Sequence, residues 1–407
     1  MQNNATLSII IDRQVVRMII REKYLEQIRP FYDKDIIKVI TGFRRSGKSV
    51  LLHQIKDEVT NDDDHVLMIN FESHLCSELL DNKRLDAYVS QFAYGKKGKL
   101  HFFFDEIQQV NQWEKSINSY RVTYDCDIYI TGSNSKLLSS ELATHIAGRY
   151  VAFTIYPFSY SEFKENNQSF ETYLRYGGMP FLNQLDYQHE ASMMYLSDVY
   201  NSVILKDIIS RHQIRDVELL DRLIKYVLLN NGKVFSARSI EKYFKSVNRK
   251  VSVDTILNYL AYCRDAFLLY PLKNQDMKSK EFLTSGEKYY MVDHGLRIPL
   301  VQNPLSDIGL ILENIVLLEA LSRGYQVSVG RVEGKEIDFV LFKDNEPTYV
   351  QVAYLLADPS TIEREFGVYS LVKDNYRKYV VSMDPIDFSR DGIIHKNIVE
   401  FLETSSW

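Results

Sequence analysis

Eight residues set the terms for the rest of the chain: Gly42-Phe43-Arg44-Arg45-Ser46-Gly47-Lys48-Ser49. They satisfy G-x-x-x-x-G-K-[ST] at every fixed position, and the flanks agree. Residues 36–40 (Ile-Ile-Lys-Val-Ile) read as a short buried strand, and Val50, Leu51, Leu52 and Ile55 as one face of a helix. Strand, glycine turn and helix in that order wrap backbone N–H groups around phosphate. Glycine permits the close approach, and the helix N-terminus adds partial positive charge. Lys48 then reaches the β- and γ-phosphates of a nucleotide, and the Ser49 hydroxyl holds Mg²⁺.

A second anchor follows about sixty residues on. Residues 65–71 read as a buried strand, 85–94 as a helix, and Leu100-His101-Phe102-Phe103-Phe104-Asp105-Glu106 as a strand ending in adjacent carboxylates. In a parallel sheet that end lies at the carboxyl edge, beside the phosphate loop. Asp105 is the expected Mg²⁺ ligand and Glu106 the general base for an attacking water. Residues 127–134 form another apolar strand that stops at Thr131-Gly132-Ser133-Asn134. Asn134 is the candidate γ-phosphate sensor; the competing role for Ser133 and Asn134 is a helix N-cap. A helix is expected over 136–145 and a strand over 151–155. Arg149, between them, is a candidate arginine finger, in cis or toward a neighbouring subunit.

Composition narrows the setting. The 407 residues exceed one ordinary core, so two to four domains are expected. A net charge of −5 supplies no global basic field, so any nucleic-acid contact must come from local patches. Cys76, Cys126 and Cys263 are scattered without a C-x-x-C pair, against a disulfide scaffold or zinc site and in favour of a reducing compartment. The opening Met1-Gln2-Asn3-Asn4 lacks a signal pattern, and no window nears the roughly 18 apolar residues of a membrane span. The expectation is a cytoplasmic protein without a membrane partner.

Taken with Gly148-Arg149-Tyr150 and Tyr176-Gly177-Gly178-Met179-Pro180, these motifs resemble the AAA-type ATPase family of archaea and bacteria that carries a C-terminal domain of unknown function, DUF4143. The resemblance implies an α/β fold: a P-loop parallel sheet with the additional strand of the AAA type, and a helical lid. It also implies ATP and Mg²⁺ as ligands, with assembly into a homo-oligomer through the nucleotide face. Gly42, Arg44, Arg45, Ser46, Gly47, Lys48, Ser49 and Val50 are the candidate nucleotide-binding positions, and Ser49 and Asp105 the metal ligands. Glu106, Lys48, Asn134 and Arg149 are the candidate catalytic set.

The remaining chain divides by pattern into a core over 1–160, a lid over 161–215, a winged helix over 216–300 and an α/β domain over 301–407. Helices at 217–229, 239–244 and 253–267 precede strand-like runs at 268–272 and 288–292. In a winged helix, 253–267 is the recognition helix, opened by Lys250, Ser252 and Asp254, and the loop bearing Lys273, Lys278 and Lys280 is the wing. From 310 the order helix, three strands, helix, strand resembles the PD-(D/E)XK nuclease fold. An active member binds Mg²⁺ through Glu313, Asp338 and an acid at position 351, with a lysine at position 353 orienting water. This chain has Gln351 and Ala353 there, and Lys335 nearby, so a degenerate fold used for binding is expected.

The reading is thus an ATPase coupled through its C-terminal part to DNA or a protein partner. The alternatives are a nucleotide-gated switch or scaffold with little turnover, and an ATP-regulated nuclease.

Overall fold

A computed structural model describes residues 19–60, 63–135, 148–300 and 307–407. The expected helix at 136–145 lies outside the described residues. The first described helix runs Glu22–Ile28.

The first sheet holds β1 (Ile37–Gly42), β2 (Val66–Asn70), β3 (Leu100–Asp105), β4 (Cys126–Gly132) and β5 (Tyr150–Ile155) in the order β2-β3-β4-β1-β5. Every pair is parallel. β4 stands between the phosphate-loop strand β1 and the carboxylate strand β3, which is the additional-strand order. Both faces of the sheet are covered, so its strands read as apolar runs rather than alternations. Phe102 and Phe104 pack with Trp113, Ile117 and Tyr120 on one face. Phe103 points to the other, stacked on Tyr129 at 4.8 Å and packed with Leu51, Leu52 and Ile55 of the helix Lys48–Val59. The fully buried Lys38 ion-pairs with Asp127, which also accepts from the Asp33 N–H (2.8 Å) and the Tyr129 hydroxyl (2.7 Å).

The helical region over this sheet includes Tyr160–Phe163, Phe170–Tyr176 and His189–Ser202, the last running into a π-helix, Val203–Ser210. Gly178 fastens it: its carbonyl accepts from Phe158 N–H (2.7 Å) and its N–H donates to Asp293 (2.7 Å). A Cβ at Gly178 would lie 2.1 Å from the Phe158 carbonyl oxygen, so no other residue fits.

Next come the helix Val217–Leu229, β6 (Val234–Phe235), helices Ala237–Ser246 and Val253–Asp265, and the long hairpin β7 (Leu269–Asp276) and β8 (Phe282–Met291). The helices and strands follow one another as expected, but the expected wing is corrected. The strands extend through most of the expected loop, so Lys273 lies on β7 and Lys278 pairs with Glu333 at 2.9 Å. β7 also pairs in parallel with β9 (Gln326–Val332). The hairpin therefore joins β9, β10 (Lys335–Lys343), β11 (Glu346–Val352), β12 (Lys378–Ser382) and β13 (Ile394–Asn397) in one eight-stranded mixed sheet. The apolar helix Ile308–Ser322 packs on it. No helix among the described residues is long and apolar enough to cross a membrane.

Candidate functional site

Gly42, φ +145°, ends β1 so close to β5 that a Cβ would lie 2.1 Å from the Ile155 carbonyl oxygen. Phe43 is fully buried and anchors the loop. Arg45 (φ 63°) and Gly47 (φ 98°) take left-handed conformations that close the turn, and Ser46 N–H donates to the Phe43 carbonyl at 3.2 Å. The helix Lys48–Val59 starts there. Lys48 turns back over the loop, donating to the carbonyls of Gly42 (3.2 Å) and Phe43 (3.0 Å), with Glu106 Oε1 at 3.8 Å.

Arg21, 1% exposed, braces the loop from behind. It donates to the Ser46 carbonyl (2.9 Å), the Tyr156 carbonyl (2.9 Å) and Glu162 (2.6 Å), and lies over the rings of Tyr24 and Phe158. Burial raises the Glu162 carboxyl, but Arg21 outweighs it and holds the group below the usual range.

Strand alternation places Asp105 on the Phe103 face, the face covered by the phosphate-loop helix. Ser49 follows Lys48 at the start of that helix, and its hydroxyl pulls the Asp105 carboxyl down. Thr131 donates to Asp105 Oδ1 and Asn70 to Oδ2 (3.2 Å). Burial lifts the Asp105 carboxyl above its ordinary range, against the pull of those two hydroxyls. Glu106 follows in a left-handed conformation, φ 56°, its N–H on Thr131 Oγ1 (2.9 Å) and its carboxylate held by Ser133 (3.1 Å) and Gln108. The Ser49 hydroxyl and the Asp105 carboxylate are hard oxygen donors of the kind Mg²⁺ takes.

A cavity of about 450 Å³ opens over these groups. Its floor includes Arg44, Arg45, Lys48, Ser49 and Val50; its far wall is Pro180, Phe181, Gln184 and Tyr195. Arg45 lies over the Tyr195 ring at 5.6 Å. Sequence reasoning missed this wall and Arg21. The only local signal was Tyr176-Gly177-Gly178-Met179-Pro180, which delivers the wall.

Two other candidates lie outside the cavity lining. Asn134 is buried just beyond β4, next to the Ser133 that bonds Glu106. Arg149 is exposed before β5, bonded to Asn118 at 2.9 Å. β1 and β5 pair from Ile37↔Tyr150 to Gly42↔Ile155, so Arg149 lies at the opposite edge of the sheet, about 16 Å of strand from the loop. The finger role in cis is therefore corrected: Arg149 does not reach its own phosphate loop.

The C-terminal pocket, about 800 Å³, gathers Glu313, Asp338, Gln351 and Glu365. Lys288, 3% exposed, enters from β8, 3.8 Å from Glu313 and 4.0 Å from Asp338, and pairs with Glu336. Gln351 is committed at both ends, accepting from Asp338 N–H (2.6 Å) and donating to Glu365 (2.9 Å). Burial pushes the Glu313 carboxyl up to about 7, against the pull of Lys288 and of the Tyr290 hydroxyl. Asp338 is raised further by burial and by Glu313 beside it. Lys288 is thus a resident cation at the centre of the acids, a role its place in a strand run did not announce.

Residues 34–164 match the model of an AAA domain, and residues 167–307 match a domain of unknown function, DUF8612, where DUF4143 was expected. A Walker-type ATPase of Pyrococcus abyssi aligns at 15% identity with a TM-score of 0.48, covering 70% of this chain and 96% of that one. A Haemophilus influenzae protein is 38% identical over 378 residues, 90% of this chain and 93% of its own length. A Methanocaldococcus jannaschii protein is 30% identical over 401 residues, 91% of this chain and 88% of its own. Both relatives bear the name uncharacterized protein. The chain belongs to the family of these Haemophilus and Methanocaldococcus proteins, with an AAA domain across residues 34–164.

Proposed function

We propose that the chain binds ATP with Mg²⁺ in the cavity above Lys48 and hydrolyses it. One observation carries the reading: Glu106 Oε1 lies 3.8 Å from the ammonium of Lys48, and Asp105 ends β3 just before it, beside the helix that Lys48 and Ser49 open. In this reading the loop N–H groups and Lys48 take the β- and γ-phosphate charge. Ser49 and Asp105 hold the metal, which supplies neutralisation of charge on the transferring phosphoryl group. Glu106 accepts the proton of the attacking water, with Ser133 and Gln108 fixing its carboxylate and Asn134 beside the terminal phosphate. The wall of Pro180, Phe181, Gln184 and Tyr195 excludes water from the rest of the nucleotide.

Glu106→Gln is the test. ATP binding is expected to persist while turnover falls by a factor of about 10²–10⁴, the usual contribution of a general base. Turnover equal to the parent's removes Glu106 from that role and leaves the nucleotide-gated switch as the better account.

Coupling to DNA has its own support. On the helix Ala237–Ser246, Arg238, Lys242 and Lys245 are exposed at i, i+4 and i+7, one solvent-facing stripe opposite the buried Ile240 and Phe244. Lys250 follows in the turn, and none of the four is ion-paired among the described residues. A row of free cations beside a winged-helix recognition helix suits a phosphate backbone. The nuclease alternative gains nothing from the C-terminal pocket, whose Gln351 has no free oxygen and whose acids already hold Lys288.

A further inference from the structure

Arg44 belongs to the phosphate loop, yet neither of its ion-pair partners does. Its guanidinium meets Glu72 at 2.6 Å, just past β2, and Asp207 at 3.5 Å. Asp207 is 4% exposed and lies in the π-helix Val203–Ser210, which continues His189–Ser202 without a break. Eight residues of π-helix are uncommon; the wider turn accommodates an extra residue, and such insertions cluster at functional sites. Arg44 lines the cavity together with Lys48, Glu72 and Glu106, so its pair with Asp207 brings that carboxylate to the cavity's edge. Two carboxylates therefore overlook one anion-binding loop. A buried carboxylate without a counter-ion is costly, so Asp207 depends on Arg44.

A third phosphate upsets that arrangement. It brings negative charge into the space between Lys48 and Glu106, repels Asp207 and offers Arg44 a bidentate partner stronger than a 3.5 Å contact. A diphosphate stops short of that space. Resting on the nucleotide reading above, we propose that Arg44 passes from Asp207 to the terminal phosphate of a bound nucleoside triphosphate. Asp207 is then the positioning residue through which the π-helix tells tri- from diphosphate. Released, the π turn is free to relax toward α-helix, which shifts the chain beyond it by about one residue, roughly 100° and 1.5 Å. That chain leads to Asp216, bonded to Arg249 at 2.8 Å, and into the winged helix.

The test uses the full chain, with ADP and a non-hydrolysable β,γ-methylene analogue of ATP titrated by calorimetry. Asp207→Asn is expected to tighten the analogue about tenfold, the scale of one charge-assisted hydrogen bond, and to leave ADP within about twofold. Arg44→Gln is expected to move the same ratio the other way. In the unmodified chain, amide exchange across 203–210 is expected to differ between the two nucleotides, a readout that needs no variant to fold. Identical exchange with both nucleotides, or an unchanged analogue-to-ADP ratio in Asp207→Asn, overturns the inference while nucleotide binding stands. A parent chain that binds neither nucleotide overturns the nucleotide reading itself and this inference with it.

Discussion

Glu106 sits at φ 56°, a conformation costing on the order of 1–3 kcal/mol for a side chain of its kind and sustained by the surrounding bonds. The cost is met where the carboxylate faces Lys48, so strain and chemistry coincide. Glu313 shows the opposite use of burial. Its folded carboxyl, raised to about 7 from an ordinary 4.5, binds a proton more readily in the native chain than in the unfolded one. It therefore contributes stability that is fully present below about pH 4.5 and is lost as the pH rises through about 7. Glu313→Gln should remove that slope. Relative to the parent, the variant is expected to gain on the order of 3 kcal/mol between pH 4.5 and pH 8, read by denaturant unfolding. A difference that stays constant over that range shows that Glu313 remains ionised beside Lys288. Residue identity alone hid this. Glu313 and Asp338 were legible as a spaced acidic pair, but Lys288 reaches them from a strand in another segment.

Among the elements, the phosphate loop owes its shape to a partner far away in sequence. Arg21 and Glu162 lie 141 positions apart, and their ion pair ties the entry helix, the Ser46 carbonyl and the start of the helical region together. Arg21→Met leaves Glu162 buried and unpaired, and is expected to cost roughly 3–5 kcal/mol in denaturant unfolding. Adding Glu162→Gln should recover most of that, because the stranded charge is what destabilises. If the double variant is as unstable as the single, packing of Arg21 on Tyr24 and Phe158 is the larger contribution. The strand–loop–helix unit itself was readable in order, since β1, Gly42, Gly47 and Leu51-Leu52-Ile55 are local in sequence. The brace was not, because no periodicity reports a contact between distant segments.

For the molecule as a whole, two sheets meet around the helical region. Ser135, three residues past β4, approaches Asp265 of the helix Val253–Asp265 at 3.4 Å, so the carboxyl edge of the first sheet touches that helix directly. The second sheet joins the β7–β8 hairpin to the C-terminal strands through β7 and β9. If DNA is the partner, a duplex shift assay at several salt concentrations should show a steep linear loss of log affinity with log salt. Lys242→Glu with Lys245→Glu is expected to reduce that slope by about two, the two lost phosphate contacts, with ATP turnover in the absence of DNA unchanged. No shift by the parent chain at low salt transfers the coupling to a protein partner.

Local order carried the sequence reading a long way. The loop from Gly42 to Ser49, the strand that ends beside Asp105 and Glu106, and the successive helices from Val217 to Asp265 are each written in neighbouring residues, where backbone geometry and side-chain period act. What tertiary structure decided is which of those pieces face one another. It put Arg149 at the far edge of its sheet, set Asp207 against Arg44, placed Lys288 among the C-terminal acids and merged the wing with the last sheet. Each of these is a meeting of segments separated by tens to hundreds of residues, settled by strand pairing and by the cost of burying an uncompensated charge.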